Sequence, residues 1–254
     1  MFRRAIVRTP AKSMVQGISS ADLGLPDYHL ALLQHQQYIN ALENCGVEVL
    51  VLPPEEAFPD SCFVEDPALL TERIAVLARP GAESRQGEVS LLEESIRRFY
   101  AANIAKIQAP GTLDAGDVLR VEDHFYIGLS QRTNMEGAKQ LISLLHNHGY
   151  TASVIPLTEF LHLKTGVSYL GKGNLLVSGE LINHPEWESL KQIIIDPAEA
   201  YAANCIVVND SVLIPSGFSM INLRLKSLGY KLVEIDCSEF RKLDGGLSCL
   251  SLRF

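Results

Sequence analysis

Apolar and polar positions alternate in short blocks along the chain, and the blocks recur. Ala5–Val7 is a brief apolar run that predicts a strand, followed by a polar, glycine-containing loop from Thr9 to Pro26. Asp27 stands at an N-cap position ahead of Leu30, Leu33, Ile39 and Leu42, whose spacing predicts a helix ending near Gly46. Val47–Leu52 is apolar except for Glu48 and stopped by Pro53 and Pro54, as expected of a buried strand. Phe63-Val64, Ala68–Leu70 and Ile74–Leu77 read as short strands before a helix over Glu88–Phe99. Asp117–Val121 and His124–Gly128 predict a strand pair. The helix that follows runs to His148, with Thr133 and Glu136 at capping-box spacing and Gly149 as its stop. Val167–Leu170 with Asn174–Val177, and Cys205–Val208 with Val212–Pro215, predict two more pairs, the second leading into a helix over Met220–Leu228. Leu247–Phe254 is expected to close the chain as a strand.

A unit of two strands, a helix and a strand therefore repeats every roughly 40–50 residues. A unit of that size cannot bury its own apolar face, so units must pack on one another. That points to a propeller-like or solenoid arrangement, with a doubly wound sheet as the competing α/β architecture. The repeated hairpins favour the first.

Composition narrows the function classes. The chain has 254 residues, 47% of them hydrophobic, enough for a substantial core and against disorder. With 22 basic and 30 acidic side chains the net charge is −8, without a Lys/Arg cluster, which argues against a nucleic-acid surface. The five cysteines, Cys45, Cys62, Cys205, Cys237 and Cys249, are odd in number and dispersed, which fits reduced thiols better than a disulfide frame or a zinc site. No apolar run is long enough for a membrane span or a signal peptide, so a cytoplasmic location is expected.

Four places hold polar groups that core patterning does not explain. Pro59–Pro67 carries Asp60, Glu65 and Asp66 among Phe63 and Val64; read as a strand, it would put Asp60, Cys62 and Val64 on one face. The segment can equally be a solvated turn. Gly111–Asp117 sets Asp114 and Asp117 among small residues, which allow close approach of a ligand or simply make a turn. His162 lies between two leucines, a setting common for structural histidines. Cys249 follows Gly245-Gly246, where a thiol can pack as a small apolar group or be presented as a nucleophile.

Taken in order, PDSCFVEDP, TLDAGDV, LHLKTG, AANCI and DGGLSC resemble the dimethylarginine dimethylaminohydrolases of the guanidino-group-modifying, or pentein, superfamily. The resemblance spans nearly the whole chain. It implies one catalytic domain over residues 1–254, a five-bladed α/β propeller of ββαβ units around a central acidic channel. It implies Cys249 as nucleophile, His162 as general acid/base and Asp114 as the acid orienting the histidine, where some bacterial members carry Glu. Asp60, Glu65 and Asp66 would contact the guanidinium, Arg85 and Arg132 the α-carboxylate, and the backbone carbonyls of Ile18 and Leu243 the α-ammonium. Phe63 would bear on pocket width, and residues 13–26 would form a mobile lid. The implied reaction converts methylated arginines to citrulline and an alkylamine with no metal or organic cofactor, by a monomer or homodimer acting on a small cationic amino acid without nucleic acid or membrane. Arginine deiminase, agmatine deiminase and a non-catalytic guanidino-binding propeller are the alternatives; His162-Leu163-Lys164, where deiminases usually show HLD, and the two arginines argue against the enzymatic ones.

Overall fold

The computed structural model describes residues 1–101 and 103–254. Its chain runs through β1 (Arg4–Arg8), β2 (Glu48–Leu52), β3 (Ala68–Leu70), β4 (Ala75–Leu77), β5 (Ile104–Lys106), β6 (Val118–Val121), β7 (His124–Leu129) and β8 (Thr151–Pro156). It continues through β9 (Val167–Gly171), β10 (Asn174–Val177), β11 (Lys191–Ile194), β12 (Ile206–Val208), β13 (Ser211–Pro215), β14 (Lys231–Ile235) and β15 (Leu252–Arg253). These strands form five three-stranded sheets, each with one antiparallel and one parallel pairing.

A parallel pairing needs a crossover, and helices supply it. α1 (Tyr28–Asn44) joins β1 to β2, α2 (Glu88–Tyr100) joins β4 to β5, and α3 (Met135–Asn147) joins β7 to β8. A one-turn α4 (Leu163–Gly166) precedes β9, and α5 (Ser219–Ser227) joins β13 to β14, before the short α6 (Ser238–Arg241). The fourth unit departs from the rule. Two single turns, Gly179–Leu181 and Pro185–Trp187, replace its helix, and the fully buried Trp187 fills that space.

The first strand of each unit lies inward: β15 packs beside β3, β6 beside β9, and β9 beside β12. β15 also pairs with β1, so the two ends of the chain close the ring of units in one sheet. The result is the five-unit α/β propeller. Helices pack on the outer faces; α1, for example, packs on β2 and β14 and buries Ala31, Tyr38 and Leu42 in one cluster with Ala5 and Val7 of β1, and the Tyr38 hydroxyl donates to the Leu247 carbonyl at 2.9 Å. Among the described residues, no helix is long and apolar enough to cross a membrane.

The structure corrects several local expectations. Leu30 and Leu33 face outward on α1, and Gln34, His35 and Tyr38 take the inner face instead. Thr133 does not cap α3; Asn134 does, its side-chain oxygen accepting from the Gly137 N–H at 2.8 Å. Thr133 is occupied elsewhere, its hydroxyl accepting from the Asp114 N–H. Phe63-Val64 is not a strand but part of a run of turns from Pro59 to Pro67, so the face alternation read there does not apply. Cys249 does not begin a strand either. It sits in a single helical turn, Ser248–Leu250, ahead of β15.

Candidate active site

The five segments Pro59–Pro67, Thr112–Val118, Leu161–Gly166, Ala202–Ile206 and Asp244–Cys249 occupy equivalent places. Each lies at or immediately ahead of the inward strand of one unit, β3, β6, β9, β12 and β15. Side chains there converge because the inward strands themselves are neighbours. Asp60, Glu65, Asp66, Asp114, Asp117 and His162 are buried there, which is costly unless they pair or bind a charged ligand.

Cys249 is presented by a turn that needs glycine. A Cβ on Gly245 would lie 2.3 Å from the Phe63 ring, and one on Gly246 would lie 2.4 Å from Asn204. The turn is held by Tyr201, whose hydroxyl donates to the Gly245 carbonyl at 2.7 Å, and by Asn204, whose side-chain oxygen accepts from the Ser248 N–H at 2.9 Å. The Gly246 N–H points at Sγ at 3.5 Å. Only 8% of Cys249 is exposed. Burial first, and then the Asp66 and Glu65 carboxylates, push its thiol up to about 12, so the resting group is a neutral thiol.

His162 faces acids on two sides. Nε2 lies 3.0 Å from Asp114 Oδ2, and Nδ1 lies 4.0 Å from Asp66 Oδ1. Burial alone would lower its pKa, but Asp66, Asp117 and Asp114 outweigh it and raise it to about 9. The imidazole is therefore cationic near neutral pH. Asp114 is fully buried; its other oxygen accepts from the Gly81 N–H at 2.9 Å, and burial is overcome by His162, which holds its pKa low. Aspartate at this position reaches the histidine directly, so the shorter acid keeps the contact. Gly116 makes that packing possible. A Cβ there would lie 2.6 Å from Asp66 Oδ1 and 2.9 Å from His162 Nδ1. Gly116→Ala is expected to lower kcat about tenfold or more by parting these groups, read against a thermal melt showing the variant still folded.

The remaining predicted contacts separate into three groups. Asp60 is buried, and its carboxylate accepts from the Ile18 N–H at 3.0 Å; burial raises its pKa. That bond draws the 13–26 segment over the site, and Ser19 and Ser20 fasten it to the Lys242 carbonyl and the Asp244 carboxylate. Leu243 lies in the same fastening segment, buried, with its side chain against Gly17. Phe63 is buried edge-to-face on Phe240, 6.2 Å between ring centres, and backs the Gly245 turn.

The two arginines differ. Arg132 is half-buried and makes no ion pair among the described residues. Arg85 is buried, and all three of its nitrogens already donate: to Asp66, to both oxygens of Glu88 (3.0 and 2.8 Å), and to the Phe63 carbonyl at 2.9 Å. Arg85 is therefore fully engaged with groups of the chain itself. Glu65 is likewise engaged, with Lys164 at 2.6 Å and Arg253 at 3.4 Å, while its Oε2 has no partner. Glu65, Lys164, Ser248 and Arg253 line a cavity of about 720 Å³ whose walls include neither Cys249 nor His162.

Sequence reasoning missed Glu88, read only as a helix start, although its spacing of three from Arg85 suits a pair on one helical turn. It also left Asn204 without a role. Asp66, Asp114 and His162 each offer a ligand atom within 4.8 Å of the others. Those atoms serve one another and Arg85, as an acid/base constellation does.

Residues 27–197 match the family model described as N,N dimethylarginine dimethylhydrolase, eukaryotic. The chain is 53% identical over 254 residues to the N(G),N(G)-dimethylarginine dimethylaminohydrolase of Pseudomonas aeruginosa, covering all of both proteins. It belongs to the dimethylarginine dimethylaminohydrolase family. The dimethylarginine dimethylaminohydrolase of Streptomyces coelicolor is 34% identical, over 99% of this chain and 96% of that one. Among solved structures, the C249S mutant of the Pseudomonas aeruginosa enzyme complexed with citrulline superposes with a TM-score of 0.99 at 52% identity, covering both chains fully. The N-terminal domain of ArgZ, an arginine dihydrolase from Cyanobacteria, shares the fold at a TM-score of 0.90 and 21% identity, covering 100% of this chain and 97% of that domain's chain.

Proposed function

We propose that this chain hydrolyses Nω-methylated arginines to citrulline and dimethylamine or methylamine, with Cys249 as nucleophile and His162 as acid and base. The observation that carries the reading is that one buried acid, Asp66, acts on both groups: it faces His162, which is held between Asp114 and Asp66, and it opposes ionisation of the buried Cys249 thiol.

A guanidinium carbon is a weak electrophile because its charge is spread over three nitrogens. Asp60 and Asp66 fix those nitrogens, and Arg132 takes the α-carboxylate. The carbonyls of Ile18 and Leu243 take the α-ammonium under the closed segment 13–26, which excludes water. Cys249 Sγ attacks the central carbon, and the C–N electrons move onto that nitrogen to give a tetrahedral adduct. Collapse breaks the bond to the alkylated nitrogen, which takes the His162 proton and leaves as the amine. The neutral imidazole then removes a proton from water as its oxygen attacks the thiouronium carbon. The C–S bond breaks, the sulfur leaves as thiolate, and citrulline is released.

Residues 1–254 act as one catalytic unit on a small cationic amino acid; the pairing of β1 with β15 in one sheet supports the single unit. Parallel incubations with asymmetric dimethylarginine, arginine and agmatine test the substrate. Citrulline with dimethylamine from the first, and at least about 100-fold less ammonia from arginine, is expected. Equal or faster release of ammonia from arginine would assign the site to a deiminase.

A further inference from the structure

Asp117 is a buried carboxylate that the mechanism above does not use, and it joins three parts of the site. Its Oδ1 accepts from the Leu163 N–H at 2.9 Å, the peptide directly after His162. Its Oδ2 accepts from the Ser130 hydroxyl at 2.7 Å. The same Ser130 oxygen accepts from the Arg132 and Thr133 N–H groups at 3.0 and 3.2 Å, and the Thr133 hydroxyl accepts from the Asp114 N–H at 3.1 Å. One carboxylate thereby anchors the backbone of His162, the turn bearing Arg132, and the residue that orients His162. Asp117 has no exposed surface, and its Oδ1 lies 3.0 Å from where a side chain on Gly128 would begin.

We propose that Asp117 is a positioning residue that fixes His162 through the Leu163 peptide and, as a third buried negative charge beside Asp66 and Asp114, keeps the imidazole protonated for the amine to leave. The charged groups facing His162 are Asp66, Asp114 and Asp117; facing Asp117 are His162 and the neutral Ser130, Thr133 and Leu163 donors. Burial raises the Asp117 carboxyl to about 6, which leaves it ionised in the range where His162, raised to about 9, still holds its proton. The inference rests on the role given to His162 above.

The test is Asp117→Asn, which keeps the shape and the oxygen that receives the Leu163 N–H while removing the charge. A merely structural role would leave the His162 titration in place. In histidine-labelled protein followed by NMR, the His162 midpoint is expected to fall by about one pH unit, and the alkaline limb of kcat by the same amount. A folded variant with an unmoved midpoint overturns the proposal. Should Asp117→Asn fail to fold, Ser130→Ala decides. Losing the hydroxyl donor makes Asp117 easier to protonate, so the midpoint falls by a smaller step, and no fall overturns the proposal. The NMR readout needs no turnover, so absence of methylarginine hydrolysis would strike the functional reading and leave this test standing.

Discussion

Alkylation of Cys249 by iodoacetamide is expected to be slow at neutral pH in the empty protein and to accelerate about 10–1000-fold when a non-reactive guanidinium ligand is bound. The empty site opposes a thiolate three ways: burial, Asp66 and Glu65 together push the thiol to about 12. His162 cannot relieve this by taking the proton, because with its own value raised to about 9 it is already protonated at neutral pH. The proton must therefore go to solvent, and only a change in the local field can make that favourable. A guanidinium seated against Asp60 and Asp66 supplies a positive charge beside the sulfur and occupies the acids that repel it. Since the thiolate is a small minority near pH 7, each unit of lowering raises its population tenfold. The sign follows directly. In the empty protein the alkylation rate climbs with pH and does not level off below pH 9, whereas with ligand the rise is displaced to lower pH. An equally low midpoint in both states would remove ligand-assisted ionisation from the account. Alkylation must be tracked at Cys249 itself by peptide mass. Cys62, Cys205 and Cys237 are buried and raised by burial, so they are expected to react slowly in both states.

Cys249→Ser is expected to lower citrulline formation by at least about 10⁴-fold while leaving the fold and citrulline binding in place. The loss follows from the electronics of the nucleophile, since a hydroxyl in a pocket that already disfavours a thiolate has no means of ionising near neutral pH. Binding should survive because the groups assigned to the ligand's ends and nitrogens, Arg132, Asp60 and Asp66, do not depend on the sulfur. Retained activity in this variant would refute the assigned nucleophile. Loss of binding together with turnover would instead point to collapse of the Gly245–Cys249 turn.

Much of the architecture was legible because the repeat is encoded in apolar hairpins. Val118–Val121 with His124–Leu129, and Asn174–Val177 beside Val167–Gly171, stand out by pattern alone. The third strands were less visible. Thr151–Pro156, Lys191–Ile194 and Lys231–Ile235 mix polar or charged residues with half-buried apolar ones, since each is the parallel strand at the rim of a sheet and one face meets solvent. Leu30 and Leu33 misled because a helix on a small sheet buries only a narrow stripe, and Tyr38 with His35 already fills it.

The site was legible as an ordered set of motifs, and the propeller explains why. The motifs fall at equivalent places in five units, so residues far apart in sequence meet at the inward strands. What sequence could not give was pairing. Nothing in the order of residues says that Arg85 is held by Asp66, that Glu65 is held by Lys164 and Arg253, or that Asp117 ties His162 to the Arg132 turn. The contacts of Glu65 with Lys164 and Arg253, and of Asp117 with the Leu163 N–H, run between units and are fixed only when the ring closes.

The central claim is a covalent intermediate on Cys249, and rapid acid quench followed by intact mass is its most direct test. During turnover of asymmetric dimethylarginine the account predicts a species heavier by citrulline less one water, mapped to the Cys249 peptide and absent from Cys249→Ser. Full-rate citrulline formation without that species, or the same adduct in the serine variant, would contradict it.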